Sequence, residues 1–233
     1  MNFESSNSGI MAIRASNVTL TLGSAQAPVT ILRGVDLDLP FGASVALLGP
    51  SGSGKSSLMA VLAGLERASG GRVEVDGVDF TALDEDGLAR ARRGRIGIVL
   101  QAFHLLPTMT ALENVAIPME LAGIPNAFNE AERELNCVGL GHRTGHYPAQ
   151  LSGGEQQRVA IARAMAAMPK IIFADEPTGN LDAATGAGII DLLFARRAEL
   201  GAALLIITHD AELAKCCDRV IRMQDGRVME SAL

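Results

Sequence analysis

The sequence has no excess of basic residues. Its 20 Lys and Arg residues face 26 Asp and Glu residues, so the formal net charge is -6, and the isoelectric point is near 5.3. A protein that binds nucleic acid through the phosphate backbone needs a concentrated basic surface. The composition therefore predicts that nucleic acid is not a partner of this chain.

Cysteine is also scarce, with three residues and no Cys-x-x-Cys spacing. An odd number of thiols, two of them adjacent at Cys216 and Cys217, is typical of a reducing compartment and not of a disulfide framework. We predict that these two residues and Cys137 are packing residues without a metal or redox role.

Long apolar runs are missing as well, because no stretch reaches the roughly 18 uninterrupted apolar residues that span a bilayer. The first residues, MNFESSNSG, lack the basic start and the apolar stretch of a secretion signal. We therefore expect a cytoplasmic chain with residues 1–10 as a disordered tail. Any attachment to a membrane would be peripheral.

The chain has no internal repeat, heptad array or low-complexity tract, which argues against tandem domains. With 233 residues, of which 48% are hydrophobic, it can bury one full-sized core. Four short apolar runs alternate with helical patterns, which predicts an α/β fold with a parallel sheet buried on both faces. These runs are Val45–Leu48, Ile96–Leu100, Ile171–Ala174 and Ala203–Ile207.

Two sections depart from this pattern. Near the start, apolar and polar residues alternate over Ile13–Leu22, Ile31–Leu39 and Arg72–Val75, which predicts a small antiparallel sheet. Residues 103 to 150 have a helical pattern punctuated by proline and predict a helical insertion. The single domain would then comprise a core with its β-subdomain at about 11–101 and 159–233, and a helical subdomain at about 102–158.

The segment GPSGSGKS lies between the first buried strand and a helical pattern. It matches GxxxxGK[ST], in which glycines let successive backbone N–H groups turn inward toward phosphates. Lys55 would reach the terminal phosphates of ATP, and the Ser56 hydroxyl would bind Mg²⁺. The alternative is a Gly-Ser turn, but the flanking strand and helix favour a phosphate site. The predicted nucleotide-binding residues here are Gly49, Pro50, Ser51, Gly52, Ser53, Gly54, Lys55, Ser56 and Ser57.

Two carboxylates, Asp175 and Glu176, follow the strand that begins at Ile171. Ligands bind at the carboxyl ends of parallel strands, so Asp175 is predicted to hold Mg²⁺ through water. Glu176 would orient or deprotonate the attacking water. His209 closes another strand at the same edge and is predicted to contact the γ-phosphate. The alternatives are a solvated carboxylate for Glu176 and a structural role for His209.

A third motif, LSGGEQQR, begins at Leu151 and precedes a helix and the Asp175–Glu176 strand. It resembles the signature of the ABC ATPases. Together with Gln101, the Gly179-Asn180-Leu181-Asp182 segment and His209, it supplies all but one of that family's motifs in order, over nearly the whole chain. The resemblance implies a P-loop NTPase fold with a RecA-like core, an antiparallel β-subdomain and a helical subdomain that carries the signature.

The resemblance also implies how these residues work. Ser152, Gly153 and Gly154 open a helix and provide a second anion-binding N-terminus. In the family, two subunits pair head to tail, and this segment caps the γ-phosphate held by the partner's phosphate loop. A second copy of the chain is thus the implied partner. Gln101 would sense Mg²⁺ and the attacking water, and Asp182 would link the two sites.

One position departs from the family pattern. Where an aromatic residue usually stacks on adenine, this chain has Leu22. An aliphatic side chain covers a purine face without the stacking contribution, which is on the order of 1 kcal/mol. We therefore expect modest discrimination between ATP and GTP, and a strong ATP preference in competition binding would contradict this.

Within the family, Thr178–Asp182, Thr108–Val115 and the short overall length look most similar to the lipoprotein-release and macrolide-export (LolD/MacB) subgroup, and Leu22 with the segment Leu140–Gln150 looks most similar to its YbbA-type members. The resemblance implies that the chain energises a permease with a large periplasmic domain, either for transport or for mechanotransmission across the inner membrane. The helical insertion would receive that permease, with His104–Pro107 and Leu112–Met119 as candidate docking segments or, alternatively, as core. The competing interpretation, a soluble ABC protein acting on ribosomes or DNA, would bring tandem domains or a long coiled-coil insertion. A P-loop kinase or GTPase would lack the signature.

Overall fold

The computed structural model describes residues 11–24 and 27–229. The predicted disordered tail, residues 1–10, lies outside the described residues. Within the described part, no helix combines the length and the apolar character that a membrane crossing requires.

The N-terminal part forms the antiparallel sheet that the alternating pattern predicts. Its four strands follow the order β2-β1-β4-β5. Alternate residues such as Val18 and Leu20 are buried on one face, because successive side chains of a strand point to opposite sides. The strands are β1 (Met11–Ser24), β2 (Ala27–Pro40), β4 (Gly70–Val75) and β5 (Val78–Asp79).

The second sheet has six strands in the order β10-β9-β3-β8-β7-β6, parallel except for the final hairpin strand. The four predicted core strands are confirmed as β3 (Ser44–Leu48), β6 (Ile96–Leu100), β7 (Ile171–Asp175) and β8 (Ala203–Thr208). The strands β9 (Arg219–Gln224) and β10 (Arg227–Met229) were not predicted. Interspersed arginines weaken their apolar signal, and they become strands by pairing at the sheet edge.

In the described part of the chain, seven α-helices connect and cover these sheets. The predicted helical insertion is confirmed, since residues 103 to 150 contain two α-helices, two 3-10 turns and no strand. The helices are α1 (Lys55–Leu62), α2 (Glu85–Arg92), α3 (Ala111–Leu121), α4 (Ala127–Cys137), α5 (Gly153–Met165), α6 (Ala183–Leu200) and α7 (Ala211–Lys215).

Three apolar clusters hold the layers together. One lies between the antiparallel sheet and the six-stranded sheet and contains Phe173. A second covers the opposite face of the six-stranded sheet, beneath α5 and α6. The third joins α3, α4 and α5. Helix α5 contributes to the second cluster through Ile161 and to the third through Val159, and the predicted subdomain boundary between residues 158 and 159 falls inside it.

One packing prediction needs correction. Cys137 and Cys216 are exposed, so they are not packing residues; Cys217 is half-buried against the second cluster. For the candidate docking segment at Leu112–Met119, the alternative of a core role holds in part, because Val115 and Met119 are buried within the helical cluster. The helix has to bury one side to pack on α4 and α5, and short apolar stretches do not show which side that is.

Candidate functional site

The phosphate loop connects the end of β3 to the first residue of α1. Gly52 and Gly54 adopt left-handed φ angles of 78° and 98°, which L-residues with side chains rarely adopt. At Gly49, an added Cβ would lie 2.1 Å from the main-chain oxygen of Met223. Glycine is therefore required here for both backbone conformation and close packing.

Lys55 lies inside this loop and is only 8% exposed. Its Nζ donates hydrogen bonds of 2.8 Å to the main-chain oxygens of Gly49 and Pro50. The neighbouring Ser53 hydroxyl is buried and has no hydrogen-bond partner among the residues that the structure describes, which is unusual for a buried polar atom. The loop thus presents a fixed ammonium and an unpaired hydroxyl.

A cavity of about 510 Å³ lies at the carboxyl edge of the six-stranded sheet, where the phosphate loop meets four other segments. It brings together most of the nucleotide and catalytic residues that the sequence predicts. Its lining consists of Ile31, Gly49, Ser51, Gly52, Gly54, Lys55, Ser56, Ser57, Gln101, Asp175, Glu176, Ile207 and His209.

The two strand-end carboxylates differ in environment. Burial raises the pKa of Asp175, with the Glu176 charge acting in the same direction and the Ser56 hydroxyl and Lys55 opposing it. Glu176 is 18% exposed and has a left-handed φ of 46°. Its N–H donates to the main-chain oxygen of Ile207. Non-glycine residues held in this conformation cost free energy and cluster at functional sites.

His209 contacts Glu176 directly. Its Nδ1 lies 2.9 Å from Glu176 Oε1, while most of the histidine side chain is exposed and the residue lines the cavity. Since β7 and β8 are adjacent and parallel, residues that follow them emerge at the same edge. The structure thus pairs the two residues that the sequence separates by 33 positions.

Gln101 follows β6 at the same edge. Its Nε2 lies 3.5 Å from Asn180 Oδ1, and its main-chain oxygen accepts a 2.9 Å hydrogen bond from Asn180 Nδ2. An added Cβ at Gly179 would lie 2.6 Å from Gln101 Nε2. The segment that follows the carboxylates therefore packs on Gln101 and holds it beside the cavity.

The signature segment forms the start of α5, with Ser152 as the N-cap. Ser152 Oγ accepts from the Glu155 N–H at 3.3 Å, and the Glu155 carboxylate accepts from Ser152 in return. This reciprocal arrangement is a capping box, which stabilises a helix start. Ser152, Gly153 and Gly154 are not part of the cavity lining.

Asp182 lies beside the signature segment and not in the cavity. It caps α6 by accepting hydrogen bonds from the N–H and hydroxyl of Thr185, and these bonds lower its pKa. An added Cβ at Gly154 would lie 2.7 Å from Thr185 Cγ2. The structure therefore brings the signature segment and the Asp182 segment together.

Leu22 lies near the end of β1, opposite Val29 of β2. Its side chain is 41% exposed, and it is absent from the cavity lining, to which β2 contributes Ile31. No pattern in the sequence distinguishes Ile31 from the other apolar residues of this strand.

Sequence reasoning also missed two side chains of α5 that hold catalytic segments. Gln157 is fully buried and donates a 2.6 Å hydrogen bond to the main-chain oxygen of Pro177, directly after Glu176. Arg163 donates to the main-chain oxygens of Phe103 and His104. Burial lowers the pKa of Arg163. Gln157 lies within the LSGGEQQR motif, but the motif does not indicate this contact, and Arg163 lies in the helical pattern that follows, where the apolar residues gave the only signal.

Comparison with known proteins decides the family. The model of the ABC transporter family matches residues 32–179, which is more than half of the chain. The chain belongs to the ABC transporter ATP-binding family. Members of this family are ATP-binding and ATP-hydrolysing subunits that power membrane transporters, and this chain is one of them.

Similar proteins place this ABC ATPase within its family. It is 46% identical over 222 residues to the uncharacterized ABC transporter ATP-binding protein YbbA of Escherichia coli strain K12, covering 94% of this chain and 97% of YbbA. It is 49% identical over 221 residues to the lipoprotein-releasing system ATP-binding protein LolD 2 of Caulobacter vibrioides, covering 94% of this chain and 96% of LolD 2. These matches confirm the predicted LolD/MacB subgroup and the likeness to YbbA.

A solved structure shows the same fold. The ATP-binding cassette MJ0796, in a dimeric post-hydrolysis state bound to ADP and Pi, superposes with a TM-score of 0.86 at 38% identity, covering 94% of this chain and 97% of that chain. The fold predicted from the ABC resemblance is therefore confirmed for this ABC ATPase.

Proposed function

We propose that two copies of this ABC ATPase pair head to tail and close on two ATP molecules. Each ATP would lie between the Lys55 loop of one copy and the Ser152–Gly154 segment of the other. The observation that carries this proposal is that the two predicted anion-binding segments do not line the same cavity: the lining includes the phosphate loop but no signature residue. The dimeric state of MJ0796, a relative at 38% identity, supports it.

A few side chains then have separate roles in the hydrolysis of ATP to ADP and phosphate. Lys55 provides positive charge at the terminal phosphates, where charge develops during transfer. Glu176 accepts a proton from the attacking water or orients it. His209, 2.9 Å from Glu176, holds that carboxylate and contacts the γ-phosphate. Asp182, beside the signature segment, connects the two nucleotide sites across the dimer.

The donor set fits a magnesium ion. Ser56, Asp175 and Gln101 all line the cavity and offer a hydroxyl, a carboxylate and an amide oxygen. Magnesium prefers oxygen ligands and is usually held by one or two carboxylates together with substrate phosphates. When bound, Mg²⁺ neutralises charge on the β- and γ-phosphates. Burial raises the pKa of Asp175, and a cation bound beside this carboxylate would lower that pKa again.

The transport partner would be an integral membrane permease with a large periplasmic domain. The ATPase would attach to it peripherally, on the cytoplasmic face of the inner membrane. Two features support this: the likeness to a lipoprotein-releasing ATP-binding protein, and an open groove between α3 and the core. Leu121, 60% exposed, lies in that groove with Ile117 and Pro118. Leu106, from the predicted segment His104–Pro107, is also exposed.

Co-purification in detergent from native membranes tests this function. We expect the tagged chain to retain an integral membrane permease, and the Leu121→Glu variant to lose at least about 80% of it while binding ATP normally, because a charge at this exposed leucine must be desolvated when the permease covers it. The matched control is Phe128→Glu, which changes another exposed apolar residue on α4. Recovery of ribosomes or DNA in place of a permease would favour the soluble alternative.

Base recognition gives a second test. We expect the parent chain to bind ATP and GTP with similar affinity and the Leu22→Tyr variant to bind ATP about fivefold more tightly, because an aromatic ring adds roughly 1 kcal/mol of stacking. Leu65→Tyr, which places the same ring at another exposed leucine, is the control. The measurement is competition binding with a fluorescent nucleotide. An unchanged ATP affinity in Leu22→Tyr would remove Leu22 from the adenine site.

A further inference from the structure

The signature helix carries a negative charge in its first turn. The Glu155 carboxylate accepts hydrogen bonds from the N–H and hydroxyl of Ser152 at 2.8 and 2.9 Å. These two bonds are the largest causes that lower the pKa of Glu155, so the group is ionised at neutral pH. Under the proposed function, Ser152–Gly154 would face the γ-phosphate of the partner's ATP. An uncompensated carboxylate there would repel that phosphate.

Arg143 supplies the opposite charge. Its Nε donates a 2.9 Å hydrogen bond to Glu155 Oε1, the carboxylate oxygen that Ser152 does not use. Both side chains are partly shielded, with 36% and 22% of their surfaces exposed. Arginine stays protonated at all relevant pH values and binds carboxylates with a planar fork of donors. The carboxylate is thus shared between the helix cap and a fixed cation.

The arginine is itself held in place. Its Nη1 lies 3.1 Å from His146 Nε2, which must accept because a guanidinium only donates. The main chain around it is fixed at both ends, since Arg143 N donates to the Leu140 oxygen and Ala111 N donates to the His146 oxygen. A 3-10 turn and the start of α3 therefore present Arg143 to the signature helix.

We propose that Arg143 is a positioning residue for ATP-driven pairing: it neutralises Glu155, so that the start of α5 stays attractive to the partner's γ-phosphate. This inference rests on the proposed head-to-tail dimer. Arg143 acts through Glu155 and does not touch the nucleotide. Its contribution is electrostatic at short range and is screened by salt, whose Debye length is about 8 Å at 0.15 M.

The test measures ATP-driven dimerisation by analytical ultracentrifugation of the full chain with Mg-ATP, in the slow Glu176→Gln background. We expect Arg143→Ala and Arg143→Gln to raise the dimer dissociation constant about tenfold, and Arg143→Lys to raise it less than about threefold, because lysine keeps the charge. In a Glu155→Gln background, Arg143→Ala should change the dimer dissociation constant by less than about twofold, because the charge that Arg143 neutralises is absent. At about 0.5 M salt the tenfold difference should shrink to about threefold or less.

Two controls separate the possible failures. Arg133→Ala removes an arginine from an exposed ion pair with Glu130 on α4 and should leave dimerisation unchanged. Gly153→Asp adds a carboxylate to the signature itself and should abolish the dimer. If Gly153→Asp still dimerises, the head-to-tail proposal fails. A different outcome would contradict only the charge compensation. In that case Gly153→Asp does not dimerise, but Arg143→Ala either leaves the dimer dissociation constant unchanged or raises it equally in the Glu155→Gln background.

Discussion

Replacing Lys55 with alanine is expected to weaken Mg-ATP binding by about 100-fold or more and to remove ATP turnover. The ammonium is nearly buried within the phosphate loop and is fixed by two carbonyl oxygens, so its charge is already placed where the phosphates arrive. A preorganised charge contributes more than the same charge in solvent, and removal of one such donor to a developing charge typically lowers kcat by about 10²–10³-fold. Titration calorimetry and a phosphate-release assay would measure both effects.

The matched control for this variant is Lys215→Ala. Lys215 lies at the end of α7, where its exposed Nζ pairs with Glu212. Losing that exposed pair should change stability little and leave nucleotide binding intact. Nucleotide affinity within a few-fold of the parent in Lys55→Ala would contradict the assignment of the phosphate loop, provided that thermal unfolding shows both variants to be folded.

The Glu176→Gln variant is expected to fail differently. It should bind ATP as tightly as the parent but turn over about 10²–10⁴-fold more slowly, which is the usual range for loss of a general base. Glutamine has nearly the same shape and can keep a hydrogen bond to His209, so the geometry survives while the proton acceptor is lost. Because hydrolysis would no longer separate the two copies, a nucleotide-bound dimer should accumulate and be visible by size-exclusion chromatography.

Glu212→Gln, which neutralises an exposed glutamate on α7, provides the matched control and should turn over like the parent. Single-turnover measurements with excess enzyme would separate the chemical step from product release. ATP turnover by Glu176→Gln at the parent rate would show that another group activates the water. A dimer that forms equally without ATP would show that pairing does not depend on the nucleotide.

These two variants separate the residue that binds ATP from the residue that takes part in proton transfer. Lys55 belongs to a loop whose backbone is set by glycines and by the start of α1, whereas Glu176 belongs to a strained position between β7 and the Asp182 segment. If both predictions hold, nucleotide binding and the proton transfer step depend on separate parts of one sheet edge. Mutations that loosen α5, which fixes Pro177 through Gln157, should then affect turnover more than binding.

The sequence by itself determined the fold class and the chemistry. GPSGSGKS between a strand and a helix pattern predicts a phosphate loop, since only glycines allow that backbone path. The LSGGEQQR segment and the Asp175–Glu176 strand end supplied the ABC resemblance, which the family match confirmed. Local signals of this kind are readable because neighbouring residues in the chain create them. For the same reason, β9 and β10 were missed: their strand character comes from pairing at the sheet edge.

Only the tertiary structure decided which distant residues meet. It placed His209 against Glu176, Gln157 beneath Pro177, and Arg143 on Glu155. It also showed that Leu22 lies outside the cavity lining and that Cys137 and Cys216 are exposed. The physical reason is that polar contacts depend on the packing of whole helices and strands. The type of a side chain determines which groups it can bind, and the tertiary structure determines which of those groups lies within hydrogen-bond distance.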